Sequence, residues 1–218
     1  MRMEKKDKKL FIAIGNSQPF IYADFFWSML ALRKPIYTDI SRNKHPWDFI
    51  RNNTLIQQFL NQGHDYFTRM DADQAYPEDY LEKMVPLIDE YKVIGALLFD
   101  RWRRNDFIPL NFTGFDYPRS PVCDFTGQRG IVEVPCPHTN LFFAREVLEK
   151  ISPPWFDPHF SQDGLRPIKH MDVTFIEKIK EAGYKTYINL DVVVSHLSIN
   201  QIDRDFYDRW DNRGYKFL

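Results

Sequence analysis

Cysteine is almost missing from this chain: Cys123 and Cys136 stand alone, with no CxxC and no paired ligand spacing. That excludes a disulfide scaffold and a thiolate zinc site, and it fits a reducing, cytoplasmic setting. Long apolar runs are missing too. The charged start MRMEKKDKK leads only into the short apolar run 10–14, so neither a signal peptide nor a transmembrane segment is expected. No sign of charge dominates, with 29 Lys+Arg against 30 Asp+Glu, so no global field draws nucleic acid or an anionic membrane. Glycine is scarce where a phosphate-cradling loop would lie: residues 12–20 hold only Gly15.

Aromatic residues are abundant, at nineteen Phe, eleven Tyr and five Trp, enough for a large core and for flat walls against planar or sugar ligands. A chain of 218 residues at 44% hydrophobic suits one compact domain, 1–218, with a charged tail at 1–9 and a C-terminal segment at 198–218.

Along the first hundred residues, strand-like and helix-like patterns alternate, the mark of an α/β sheet. Strands are expected at 10–15, 35–40, 66–70 and 93–99, and helices at 21–32, 47–60 and from Pro77 onward, with Pro86 ending or kinking the last. In the second helix Phe49, Ile50, Ile56, Phe59 and Leu60 are the candidate buried positions. Residues 100–130 read as long loops. Short strands at 131–134 and 139–144, a helix at 145–151, a loop at 153–170, a helix at 172–182 closed by Gly183, and strands at 184–188 and 192–194 complete the chain.

The third strand runs out into Asp71-Ala72-Asp73. Ligands of open α/β sheets bind beyond the carboxyl ends of the strands, and paired carboxylates there suit a hard divalent cation that neutralises a diphosphate. Asp203-Arg204-Asp205 has the same spacing but falls in a charged segment where solvated surface is the natural reading. The block FTRMDADQAYPEDYLEKM resembles the DxD region of GT-A glycosyltransferases of the family-2 type. HTNLFFAREVLEKISPPWF (138–156) and MDVTFIEKIKEAGYKTYINLDVVVSHL (171–197) resemble that family's acceptor-side and closing segments, in the same order.

The resemblance implies a fold and a site. The fold is α/β: a Rossmann-like, mixed and mostly parallel sheet flanked by helices. Asp73, Asp71 and His196 would hold Mn²⁺ or Mg²⁺, and Asp71 would also reach the ribose or a metal-bound water. Asp172 would be the catalytic base, although Met171 stands where many relatives carry an acidic residue. Asp39, Arg51 and Asn52 are candidates for contacts with the donor. His138, Asn140 and Trp155 are candidates for the acceptor side. Trp155, Phe156, His159 and the loop 161–170 are candidates for a lid over the donor, and the run Arg101-Trp102-Arg103-Arg104 for a grip on a phosphate-bearing acceptor.

The implied activity moves a sugar from a nucleotide-sugar donor, a UDP-sugar, to an acceptor hydroxyl on a saccharide, a protein or a modified nucleic-acid base. A nucleotidyltransferase is the rival enzyme class, and a non-catalytic nucleotide-sugar-binding module is the rival without chemistry.

Overall fold

The computed structural model describes residues 8–17, 21–99, 111–112, 125, 127–137, 140–165 and 167–197. The strands are β1 (Lys9–Gly15), β2 (Tyr37–Asn43), β3 (Tyr66–Asp71), β4 (Gln74–Ala75), β5 (Val93–Leu98), β6 (Asn111–Phe112), β7 (Ile131–Glu133), β8 (Cys136–Pro137), β9 (Leu141–Ala144), β10 (His159–Phe160), β11 (Pro167–Lys169) and β12 (Tyr187–His196). The helices are α1 (Ala23–Ala31), α2 (Asp48–Gln62), α3 (Tyr80–Met84), α4 (Ile88–Tyr91), α5 (Arg145–Lys150) and α6 (Met171–Glu181).

Eight strands form one sheet in the order β2-β1-β3-β9-β5-β12-β4, with β7 also on β12. β1 pairs parallel with β2 and β3, and β5 with β12, while β9 runs antiparallel between β3 and β5. Hence β2, β1, β3, β5 and β12 all point one way. Their carboxyl ends share an edge that holds Gly15, Asn43 and Asp71 in register.

Alternation along the strands sorts the aromatics to two faces. Phe67 and Phe143 turn toward α2 and α6, where they meet Phe59 and Phe175 at ring-centroid distances of 5.4 Å each. Phe142 turns to the opposite face and meets Tyr80 of α3, which in turn contacts Tyr76 beside Phe25 of α1. Helices thus flank both faces, and β1, β5 and β9 are buried nearly throughout because both of their sides are covered.

Several local expectations change. The second strand starts at Tyr37, not Pro35, and lies at the sheet edge, where its side chains are half exposed. Ile50 is exposed while Leu55, Arg51 and Asn52 are buried, because the inward stripe of α2 runs through 51, 52, 55, 56 and 59. Pro77 does not open a helix. It caps a turn whose carbonyl accepts from Tyr80 N, and Glu78 is drawn to Arg33 instead. Pro86 breaks the run as expected, with a 3-10 turn between α3 and α4. The two closing strands are one strand, β12, with a register break between Asn189 and Val193.

Candidate active site

The site follows from one parity. Arg69 and Asp71 have the same parity as Phe67 in β3, so they share the face that α2 and α6 cover, and they lie just past the aromatic core toward the carboxyl edge. The amino end of α6 supplies Asp172 there. Arg69 sits between the two carboxylates: Nη1 donates to Asp172 Oδ1 at 2.9 Å, and Nε is 3.4 Å from Asp71 Oδ1. Its guanidinium lies 5.4 Å from the ring of Phe156. Burial works against the Arg69 charge, but Asp71, Asp172 and Asp48 outweigh it, so the guanidinium stays charged.

Beyond β3 the chain turns through Ala72 and Asp73 into β4, whose pairing with β12 brings Asp73 beside His196. His196 Nε2 is 3.8 Å from Asp73 Oδ2, and Nδ1 is 2.9 Å from the Phe99 carbonyl oxygen. That carbonyl favours the proton on Nδ1 and turns Nε2 toward Asp73 as an acceptor, the orientation a metal ligand needs.

Negative charge is in surplus here. Burial pushes the Asp71 carboxyl up; Arg69 opposes the shift, Asp73 and Asp172 add to it, and His196 opposes it. Among the described residues no three His, Cys, Asp or Glu side chains form a ready-made cage for a metal. Asp73 and His196, with Asp71 adjoining, offer instead a partial shell. These side chains could hold a hard divalent cation such as Mn²⁺ or Mg²⁺.

Across the edge, Gly15 faces Asp71 in register. A Cβ at Gly15 would lie 2.9 Å from Arg51 Nε and 3.5 Å from Asn52 Oδ1, so the bare backbone admits both side chains of α2. Arg51 is buried, donates from Nη1 to the His45 carbonyl at 2.6 Å, contacts Asp48 through Nη2, and leaves its buried Nε without a hydrogen-bond acceptor. A buried donor without an acceptor is costly, and an anionic group reaching this edge would relieve it.

Asn140 precedes β9 at φ 59°, in the left-handed region, fully buried with its Nδ2 unpartnered. With Arg69, Asp172 and Phe156 it lines a cavity of about 20 Å³, room for a single water.

Two candidates are displaced. Asp39 pairs with Phe11, four residues before the Gly15 level, which puts it about 13 Å from the edge. There it binds His64 Nε2 at 2.8 Å in a separate polar pocket with Lys9, Tyr37 and Gln58. Trp155 is a core residue, 4% exposed, whose indole N–H donates to the Leu148 carbonyl at 3.0 Å. Phe156 is buried as well, its ring 4.4 Å from Phe175, so neither aromatic is part of a lid. His138, the 101–104 run and the second acidic pair at 203–205 lie outside the described residues.

Sequence reasoning missed Arg69 and His170. The signal for Arg69 is a cation inside an otherwise buried strand, two residues before the first carboxylate. For His170 it is an imidazole two residues before the helix carboxylate.

In fold, the chain is similar to A197 from STIV, with a TM-score of 0.62, 17% identity, and 91% of each chain covered. S. aureus TarS 1–349 superposes with a TM-score of 0.47 at 10% identity, over 84% of this chain and 57% of its own. Its complex with UDP-GlcNAc gives 0.47 at 13% identity, over 84% and 55%. At these identities the likeness is one of fold: a mixed, mostly parallel α/β sheet flanked by helices. No protein-family model and no curated protein matches the sequence. Among the described residues no helix is long and apolar enough to cross a membrane.

Proposed function

We propose that the chain is a metal-dependent glycosyltransferase that moves a sugar from a nucleoside-diphosphate donor, a UDP-sugar, to an acceptor hydroxyl. The observation behind this reading is the acidic cluster Asp71, Asp73 and Asp172 at the carboxyl edge, with the unused Nε–H of Arg51 packed against Gly15, the residue in register with Asp71. Alone, the cluster would repel a diphosphate. A Mn²⁺ or Mg²⁺ ion held by Asp73, His196 and Asp71 would offset the charge that builds on the leaving diphosphate. Arg51 and Asn52 orient the donor from the other wall of the cleft, against the bare backbone of Gly15. Asp172 stands on the acceptor side and manages the proton.

Thermal denaturation with UDP tests this reading. UDP with Mn²⁺ at about one hundred times its Kd stabilises the protein by roughly 2.7 kcal/mol, and UDP in EDTA gives no shift. Asp73→Ala and His196→Ala lose most of the metal-dependent shift. Gly15→Ala weakens it too, because the new methyl displaces Arg51. Equal shifts with and without metal would sink the metal-bridged reading.

A further inference from the structure

α1 is apolar almost all round, with the sequence ADFFWSMLA and Asp24 as its only charge. Its inward side is accounted for: Phe25 and Leu32 are buried, and Met29 packs against the core. The outward side carries Tyr22, Ala23, Phe26, Trp27, Leu30 and Ala31, all exposed. At 3.6 residues per turn these positions fall within one half of the helix circumference, so they form a continuous strip. The Phe26 and Trp27 rings meet there at 5.3 Å. Trp27 keeps 64% of its surface and Leu30 keeps 63%. The strip leaves roughly 500–600 Å² of apolar surface open to water, at the upper end of what a monomer exposes. A helix that is apolar on every side is normally covered.

The charges around the strip select its partner. An anionic lipid surface would be drawn by free cations beside the strip, but Arg33 is held by Glu78 at 3.2 Å and Glu82 at 2.8 Å. A second α1 laid antiparallel fits better. It sets exposed Asp24 of each copy opposite exposed Lys34 of the other. The two-fold axis then passes midway between 24 and 34, level with residue 29, so position 27 of one copy faces position 31 of the other. Trp27 thereby lies over the methyl group of the partner's Ala31, a large side chain against a small one. Together the two strips bury roughly 1,000–1,200 Å², enough for a specific interface.

We propose that the protein forms a two-fold dimer through α1, with Trp27 at the centre of the interface and an Asp24–Lys34 pair at each end. A buried Trp near the middle of a small interface carries much of its binding energy, and the rim charges set the orientation.

Sedimentation equilibrium of the full chain tests this. The wild type sediments at twice the 26.1 kDa chain mass at micromolar concentration. Trp27→Asp raises the dimer Kd at least about thirtyfold, the scale of a central anchor. Its melting curve stays that of a folded protein, because the indole is exposed in the single chain. Trp47→Asp, at an exposed indole outside α1, leaves the dimer intact. Asp24→Lys and Lys34→Asp each raise the Kd about tenfold by setting like charges opposite, and the two together return it to near the wild-type value. A wild type that stays monomeric at about 100 μM overturns the proposal, and so does a dimer indifferent to Trp27→Asp. A monomer that binds neutral lipid vesicles through Trp27 gives the strip to a membrane instead. Charge variants that the double change fails to repair overturn the antiparallel pairing.

Discussion

Asp39 shows how a single residue's position changes its role. As an acidic residue in the second strand it reads as a donor contact, but in-register pairing sets it well short of the edge, hydrogen-bonded to buried His64. The His64 hydrogen bond is the main cause that holds the Asp39 carboxyl below its ordinary value of 3.8, with Tyr37 and Lys9 adding to it against desolvation. A depressed carboxyl contributes stability that is present above its unfolded value and is lost as the pH falls through the folded one. Asp39→Asn therefore lowers Tm at neutral pH, and the gap to wild type narrows below about pH 4. Paired thermal melts from pH 7 down to the acid limit check this. A gap of constant size would mean that the pair contributes nothing through ionisation. By contrast, the edge position of Asp71 was readable from the sequence, because a strand that ends in two carboxylates announces its own terminus.

At the scale of elements, the connection from α5 to α6 departs most from its expected form. A long polar loop with Gly164 and Pro167 reads as a surface excursion or lid. Its first part folds inward instead, with Trp155 and Phe156 in the core and Asn53 of α2 bonded to both the N–H and the carbonyl of Phe156. Its later part forms the β10–β11 hairpin. Phe156 fills the space between Phe175 and the Arg69 guanidinium, so it supports both α6 and the cation that spans Asp71 and Asp172. Phe156→Ala is expected to cost about 3–5 kcal/mol, the range for emptying a buried aromatic site. Urea titration measures it, and a loss under about 1 kcal/mol would mean that the ring belongs to a flap. Local pattern could not show this inward fold, since two aromatics after a Pro-Pro pair look alike in a lid and in a core.

For the whole molecule, the sheet order places stability. β1, β3, β9, β5 and β12 have strand neighbours on both sides, whereas β2, among the described residues, has one neighbour and an open edge. Amide exchange should therefore be slowest in the five inner strands, with β2 opening earlier by local fluctuation. Hydrogen exchange resolved by segment tests it. Equal protection in β2 would show that something covers that edge in solution.

The sequence by itself determined the alternating α/β pattern, the buried strands, the breaks at Pro86 and Gly183, and the carboxylates at the end of β3. Each of these is a local signal: a period, a backbone preference or a charge where an apolar run stops. Only the tertiary structure decided that β9 enters antiparallel between β3 and β5, that Arg69 joins Asp71 to Asp172 across 103 residues of chain, and that His170 rather than open solvent meets the Asp172 carboxylate. Those depend on which distant segments share a face, and that follows from burying the aromatic surface as a whole.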